Sequence, residues 1–270
     1  MVVCAHGYSG NARDFDYLAR ELSRDARVIC IDVAGRGESA WLAAPMGYHF
    51  PQFIADIHSL LAHLKVTQVE WVGTSMGGLL GMLFASKASS PVTRLVMNDV
   101  GAFLPQEALQ AIARNLEAPE SFGSLKEVEA HVRHTHREWG TLDDEQWRHF
   151  ATHGSRRGAD GRYRLHFDPE IARVARPMPL TPGLFFWDAW YRVRCPVLLL
   201  RGESSQVFPV EVADAMLDVK PDAELVVFDG CGHVPSLMVP GQIAVVRNFL
   251  RGVASERDEP RRHPLSPWPA

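Results

Sequence analysis

The stretch VEWVGTSMGGLLGML, residues 69–83, joins an apolar run typical of a buried strand to a glycine-rich run typical of a buried helix. At the junction lies GTSMG, residues 73–77, which matches the pattern GxSxG. A turn this sharp leaves room only for small residues two places before and two places after the serine. The pattern therefore predicts that Ser75 stands above a sheet edge as a nucleophile, with the first N–H groups of the helix beneath it.

The segments on either side of this turn alternate between two patterns. The strand-like runs VVCA, RVICIDV, VEWVG and TRLVMNDV are separated by the helix-like runs ARDFDYLARELS, FIADIHSLLAHL and GGLLGMLFASKA. Strict alternation predicts right-handed crossovers, and hence an α/β protein with a mostly parallel sheet and helices on both faces. The alternation stops after Val100 and resumes at CPVLLLRG, residues 195–202.

Between these points the chain changes character, which indicates an insertion. Residues 104–190 are helix-like and are predicted to form a helical cap over the sheet, whereas residues 1–103 and 191–253 form the core. The cap aromatic residues are predicted to pack mainly against one another, with one or two in the wall of an apolar pocket. Residues 254–270 are charged and proline-rich, and are predicted to be disordered.

Composition excludes several classes of partner. The chain has 270 residues and a net charge of −4 with scattered Lys and Arg, so it has no basic face for nucleic acid or an anionic membrane. No apolar run approaches the roughly 20 residues of a membrane span, and there is no signal-peptide pattern. The four cysteines are widely separated and are predicted to be reduced. We therefore expect a cytoplasmic protein that acts on a small molecule, either as a monomer or as a homodimer.

Six motifs together resemble the α/β-hydrolase fold family. They are AHGYSGNARDF (5–15), IDVAGRGES (31–39), GTSMGG (73–78), LVMNDVG (95–101), CPVLLLRG (195–202) and GCGHVP (230–235). The combination is similar to the serine esterase and C–C hydrolase branch with a helical cap, and it extends from residue 1 to about residue 252. Members of that family have two further strands before the HG motif, so the resemblance implies that N-terminal strands are missing here.

The resemblance also implies the oxyanion hole and the base. In the family, the residue after HG and the residue after the nucleophile donate backbone N–H groups to the oxyanion, which points to Tyr8 and Met76. His233 in GCGHVP lies where the family places its general base. In contrast, HVRHTH (131–136) has histidine spacings that do not share one helical face, which favours a solvated helix over a metal site. We expect neither a metal nor an organic cofactor.

A serine nucleophile and a histidine base work with a carboxylate in a catalytic triad, and that carboxylate is less evident in this sequence. The order Ser, acid, His requires a carboxylate before His233, and the family most often supplies it in a pattern like RGxxSDxL. This chain has RGESSQVF, with Gln206 in place of the aspartate. Asp99 ends the preceding strand, and neighbouring strands lie about 4.8 Å apart, so its carboxylate can reach the same histidine. We predict Asp99 as the acid, with Glu203, Asp229 or a dyad assisted by Gln206 as alternatives.

These features predict a serine hydrolase that cleaves a carboxylic ester of a small or medium-sized apolar substrate. Ser75 would form the acyl-enzyme, His233 would act as general base and then acid, and Asp99 would orient it. Cleavage of a C–C bond next to a carbonyl, as in hydrolases of ring-fission products, is the alternative reaction. A non-catalytic binding protein of the same fold, in which Gln206 marks decay, is the alternative class.

Overall fold

The computed structural model describes residues 1–116, 118–174 and 182–253, so the predicted disordered tail lies outside the described residues. The strands are β1 Val2–Ala5, β2 Val28–Ile31, β3 Val69–Thr74, β4 Val92–Asn98, β5 Phe103–Pro105, β6 Ser155–Arg157, β7 Tyr163–Leu165, β8 Gly183–Phe185, β9 Val197–Gly202 and β10 Glu224–Phe228. The α-helices are α1 Asp16–Leu22, α2 Phe50–His63, α3 Met76–Ala85, α4 Gln106–Asn115, α5 Leu125–Thr135, α6 Asp144–His153, α7 Glu170–Val174, α8 Trp187–Arg192, α9 Val210–Val219 and α10 Pro240–Leu250. Two 3-10 helices span Ala12–Phe15 and Pro45–Gly47.

Six strands form one central sheet in the order β10-β9-β4-β3-β1-β2, and every neighbouring pair is parallel. The predicted α/β architecture with a mostly parallel sheet is therefore confirmed. Parallel strands end at the same edge of the sheet, so the residues that follow β1, β3, β4 and β9 lie side by side. That edge is where the GxSxG turn and the candidate acids Asp99 and Glu203 occur.

Alternation along each strand places the core on both faces of the sheet. Val2, Cys4, Val72, Val96, Leu198 and Leu200 point to one face and pack against α1 and α10. The residues between them, including Val3, Trp71, Leu95 and Leu199, point to the opposite face and pack against α2, α3, α8 and α9. Both faces are therefore covered by helices, which explains why these strands carry apolar residues on both faces.

The inserted segment contains helices α4 to α7 and a hydrophobic cluster of its own, which includes Val128, Val132, Trp147 and Phe150. The prediction of an all-helical insertion was incomplete. Two antiparallel strand pairs also occur, β5 with β8 and β6 with β7. Each of these strands has three residues, which is too short for the period of two that identifies a strand in a sequence.

Two sequence predictions about composition can be compared with the structure. All four cysteines are free, and Cys4 lies beside Cys30 in the register of β1 and β2. Among the described residues, no helix has the length and apolarity needed to cross a membrane.

Candidate active site

Ser75 occupies the turn between β3 and α3 with a strained backbone, at φ 49° and ψ −113°. Glycine is required on both sides. A Cβ atom at Gly77 would overlap the carbonyl oxygen of Ala5, and one at Gly73 would overlap the backbone of Gly77. The Ser75 N–H donates to the carbonyl oxygen of Asn98 at 2.8 Å, which ties the turn to the end of β4. The turn predicted from GxSxG is thus present, with a hydroxyl held at the carboxyl edge of the sheet.

A continuous chain of side-chain contacts links Ser75 to His233 and Asp99. His233 Nε2 lies 3.1 Å from Ser75 Oγ, and His233 Nδ1 lies 2.7 Å from Asp99 Oδ2. A carboxylate oxygen only accepts, so Nδ1 carries the ring proton of a neutral imidazole and Nε2 presents its lone pair to the serine hydroxyl. The structure therefore brings together the three residues that the sequence selected, with the histidine in the tautomer a general base requires.

Asp99 is fully buried and lies in the left-handed region, with φ 56°. Its carboxylate accepts the N–H of Gly202 at 2.8 Å through Oδ1 and the hydroxyl of Ser205 at 2.6 Å through Oδ2. These donors come from the end of β9, which pairs with β4 in a register that sets Asn98 opposite Leu200. Neighbouring strands thus supply the carboxylate and the groups that hold it.

The alternative acids are directed elsewhere. Glu203 and Asp229 are exposed, and the carboxylate of Glu203 accepts the N–H of Gly230 at 3.1 Å. Gln206 is also exposed, so its amide is not part of the chain that connects Ser75 to His233. Of the four positions considered from the sequence, the structure places only Asp99 in contact with the histidine ring.

The loop RGESSQVFP owes its shape to Arg201, whose guanidinium is buried. It donates to the carbonyl oxygens of Phe208 at 2.7 Å, Glu203 at 3.0 Å and Ser205 at 3.4 Å. These bonds fold the loop back on itself and turn the hydroxyl of Ser205 toward Asp99. Sequence reasoning did not assign a role to Ser205 or Arg201. The signal available was their position, Arg201 near the end of a buried strand and Ser205 just after it.

Two hydrogen bonds hold the loop that carries His233. The side-chain amide of Asn98 donates to the carbonyl oxygen of Pro235 at 2.8 Å, and the Gly232 N–H donates to the carbonyl oxygen of Glu138 in the cap at 2.7 Å. Asn98 immediately precedes Asp99. Two consecutive residues at the end of β4 therefore hold the loop that carries His233 and supply the carboxylate. Sequence reasoning missed Asn98 as a positioning residue.

The proposed oxyanion donors are next to Ser75 and lie near a buried arginine. Among the described residues, none accepts a hydrogen bond from the backbone N–H of Tyr8 or of Met76. Arg36, which is fully buried, donates to the Tyr8 carbonyl oxygen and to the Ala34 carbonyl oxygen, both at 2.9 Å. Its guanidinium also lies 3.9 Å from the Met76 sulfur. Burial lowers the pKa of Arg36 to about 10, so the group remains charged at neutral pH.

His6 holds the backbone of the HG motif, His6 and Gly7, through two hydrogen bonds of its ring. Its Nδ1 lies 2.7 Å from the carbonyl oxygen of Gly7, and its Nε2 accepts the N–H of Val33 at 3.0 Å. Burial lowers the pKa of His6 to about 4, so the ring is neutral and one nitrogen donates while the other accepts. The ring holds the backbone that leads into Tyr8.

A cavity of about 140 Å³ opens beside Ser75 and His233, between the core and the cap. A dry apolar cavity of similar size, about 150 Å³, accommodates benzene in another protein. Its apolar wall is formed by Phe15, Ile112, Leu116, Val132, Trp139, Phe150, Leu165, Phe167 and Val234. Trp139, Phe150 and Phe167 are therefore the cap aromatics that reach the cavity. No lysine or arginine occurs among the described residues that line it.

The three histidines of HVRHTH (131–136) differ in their exposure to solvent. His134 is exposed, as expected for a solvated helix, but that interpretation is wrong for His131 and His136, which line the cavity. Burial lowers the pKa of both rings, that of His136 to about 4. The reason is that α5 lines the cavity through His131, Val132 and Thr135, and His136 directly follows its last residue.

One group of potential metal ligands is found in the described part of the chain. Asp16, His149 and His153 place three ligand atoms within 4.8 Å of one another. None of these residues lines the cavity beside Ser75. Asp16 is already paired with Arg13 through hydrogen bonds of 2.5 to 2.9 Å, and His149 Nε2 contacts the Arg13 carbonyl oxygen at 2.9 Å.

Three comparisons with known proteins agree with this architecture. The profile of the family described as alpha/beta hydrolase fold matches residues 1–237. A 3-hydroxybutyrate-oligomer hydrolase from Cupriavidus necator is 38% identical, over 93% of this chain and 88% of its own. A 2-hydroxy-6-oxo-2,4-heptadienoate hydrolase from Pseudomonas putida is 27% identical, over 85% of this chain and 80% of its own.

The crystal structure of an alpha/beta hydrolase from Novosphingobium aromaticivorans superimposes with a TM-score of 0.84 at 32% identity, covering 93% of this chain and 88% of its own. The family profile covers most of the chain, including every motif on which the resemblance was based. The chain therefore belongs to the alpha/beta hydrolase fold family, and the relatives described above are hydrolases.

Proposed function

We propose that this protein is a serine hydrolase that cleaves carboxylic esters through an acyl-enzyme on Ser75. The observation that carries the proposal is the chain of contacts from Ser75 Oγ through His233 to Asp99, at 3.1 Å and 2.7 Å. These distances allow proton transfer from the hydroxyl to the imidazole, and the buried carboxylate stabilises the imidazolium that forms.

The reaction follows from this geometry in two stages. Ser75 Oγ attacks the ester carbonyl carbon while His233 Nε2 takes the hydroxyl proton. The oxyanion of the tetrahedral intermediate accepts the backbone N–H groups of Tyr8 and Met76, and His233 then protonates the departing alcohol. In the second stage, water attacks the acyl-enzyme carbonyl carbon while His233 takes a proton from the water. The carboxylic acid product is then released as His233 returns a proton to Ser75 Oγ.

The cavity favours an ester with an uncharged acyl group. A buried carboxylate is stabilised most strongly by a cationic partner, and no described residue of the cavity wall is lysine or arginine. The Pseudomonas relative acts on a substrate whose name specifies a carboxylate, and that reaction type fits this wall less well. The Cupriavidus relative acts on 3-hydroxybutyrate oligomers, in which each acyl unit is a four-carbon ester.

An ester of 3-hydroxybutyrate is therefore the first substrate to test. Its hydroxyl-terminal acyl unit would occupy the apolar cavity, whereas the charged end of an oligomer would remain toward solvent. The cavity volume of about 140 Å³ suits a small acyl unit of this kind.

A fluorophosphonate probe tests the class of protein directly. We expect covalent labelling at Ser75 rather than at Ser9 or Ser236, which line the same cavity. Labelling should be lost in Ser75→Ala and strongly slowed in His233→Ala, but should be unchanged in His134→Ala, whose ring is exposed. Absence of labelling in the wild-type protein would overturn the proposal and support a non-catalytic binding protein. Ester and C–C substrates compared on the same preparation then distinguish the two hydrolase reactions.

A further inference from the structure

His136 is a polar group in the cavity wall that the acyl-transfer mechanism does not use. It directly follows α5, and its ring packs edge-on against Trp139 with ring centroids 4.2 Å apart. The chain just beyond it is hydrogen-bonded to the loop that carries His233, because the Glu138 carbonyl oxygen accepts the N–H of Gly232. His136 and His233 therefore face the same cavity from the cap and from the core.

The hydrogen bonds of His136 determine which ring nitrogen carries the proton. Nδ1 lies 3.2 Å from the Val132 carbonyl oxygen and 2.8 Å from the hydroxyl of Thr135. A carbonyl oxygen only accepts, so Nδ1 carries the hydrogen, and the Thr135 hydroxyl accepts it while donating to the His131 carbonyl oxygen at 3.0 Å. Burial holds the pKa of the ring at about 4, so it is neutral at pH 7. Nε2 consequently presents a lone pair.

Within the described part of the chain no hydrogen bond reaches this nitrogen, and the side chain that carries it lines the cavity. A saturated acyl chain placed against it would displace water and leave the acceptor without a hydrogen-bond partner, which disfavours binding. A hydroxyl on the acyl chain would supply the missing hydrogen. The acyl unit of a 3-hydroxybutyrate ester carries such a hydroxyl.

We propose that Nε2 of His136 accepts a hydrogen bond from a hydroxyl group on the acyl part of the ester, so that the enzyme selects hydroxyacyl esters over acyl esters of the same length. This selection depends on the ester hydrolase function proposed above. It makes His136 a specificity-determining residue, separate from the triad that performs the bond cleavage. A site built around a hydrogen bond rejects the analogue that lacks the group, because the protein partner is then left unpaired.

Kinetics with a matched pair of substrates test this selection. Ethyl 3-hydroxybutyrate and ethyl butyrate differ only in the hydroxyl, and we expect wild-type kcat/KM to favour the hydroxy ester about tenfold. In His136→Phe this ratio should fall to about 1. His134→Phe, on the exposed face of α5, is the control and should retain the wild-type ratio. A wild-type ratio near 1, or a ratio unchanged in His136→Phe, would overturn the inference.

A second measurement does not require turnover or a cavity variant. In the Ser75→Ala protein, the imidazole ¹⁵N signal of His136 Nε2 should move toward the hydrogen-bonded range when ethyl 3-hydroxybutyrate is added, but not when ethyl butyrate is added. Equal responses to both esters would contradict the role of His136, even if both esters are hydrolysed by the wild-type protein. Failure of the proposed function differs from this result, because Ser75 would then resist the fluorophosphonate probe.

Discussion

Ser205 and His233 meet at the same oxygen atom of Asp99. The Ser205 hydroxyl donates to Asp99 Oδ2 at 2.6 Å, and His233 Nδ1 lies 2.7 Å from that atom. The Gly202 N–H occupies the other oxygen at 2.8 Å. The carboxylate therefore has its position set by the end of β9, although it is carried by the chain that follows β4. Gln206, the residue next to Ser205, is exposed.

Substitution of Asp99 should therefore abolish most of the activity. We expect Asp99→Asn to lower kcat for a short-chain p-nitrophenyl ester about 10⁴-fold, because the amide cannot both fix the tautomer and stabilise the imidazolium. Glu203→Gln, Asp229→Asn and Gln206→Ala are the controls, and each should remain within about threefold of wild type, since all three side chains are exposed. Near-normal turnover in Asp99→Asn would exclude it as the acid.

Ser205 should contribute a smaller effect through Asp99. We expect Ser205→Ala to lower kcat about tenfold with little change in KM, because a hydrogen bond to a charged group contributes about 1.5–3 kcal/mol and the Gly202 N–H remains. Ser204→Ala is the matched control, since the Ser204 hydroxyl donates to the Cys231 carbonyl oxygen instead. Steady-state kinetics of the two variants should differ accordingly, and equal losses would contradict a specific role for Ser205.

Arg36 should position the oxyanion hole. Arg36→Met removes the bonds to the Tyr8 and Ala34 carbonyl oxygens and leaves both buried acceptors unpaired. If Tyr8 donates to the oxyanion, its displacement should lower kcat by about 10² with a much smaller change in KM, because the oxyanion exists only in the transition state. A variant that melts at a lower temperature but keeps its wild-type kcat would show that Arg36 has a structural role alone.

Gly77 lies two residues after Ser75, and glycine is the only residue type that fits this position in the turn. We expect Gly77→Ala to destabilise the protein by about 3 kcal/mol or to prevent folding, because the added Cβ would overlap the Ala5 carbonyl oxygen, which cannot move without displacing β1. Gly241→Ala, in α10, is the matched control, since a Cβ there meets no atom within 4 Å. Urea unfolding of the two variants measures the difference. Similar stabilities would contradict this account of the turn.

The buried histidine of the cap should make stability depend on pH. Burial lowers the pKa of His136 to about 4 from 6.5, so between these values the unfolded chain binds a proton that the folded chain does not. The free energy of unfolding should therefore fall as the pH is lowered through this window, by about 2 kcal/mol from this residue between pH 7 and pH 5. In His136→Gln the fall measured by urea unfolding should be smaller by about that amount.

Asp14, which also lines the cavity, should act in the opposite direction. Burial raises its pKa to about 7 from 3.8, so in this range the folded chain holds a proton that the unfolded chain releases. Its contribution to stability should grow by about 2 kcal/mol as the pH falls from 7 to 5. Asp14→Asn should consequently lose stability more steeply on acidification than the wild-type protein. Parallel pH profiles for the wild type and both variants would contradict these assignments.

The sequence by itself determined the architecture of the sheet and the position of Ser75 in the turn between β3 and α3. Alternating apolar runs specify parallel strands covered on both faces, and GxSxG specifies a turn that only glycine permits at residues 73 and 77. These are local properties of the chain, so neighbouring residues are sufficient to reveal them. The short strands of the cap escaped prediction because three residues do not display a period.

Only the tertiary structure decided which carboxylate meets His233 and which cap histidines face the cavity. Asp99 and Glu203 follow adjacent strands, and their reach toward the histidine depends on the pairing of β4 with β9 and on the bonds from Gly202 and Ser205. The inward position of His136 likewise depends on how α5 packs over the core. Both outcomes arise from contacts between segments far apart in the chain, which a pattern of neighbouring residues does not contain.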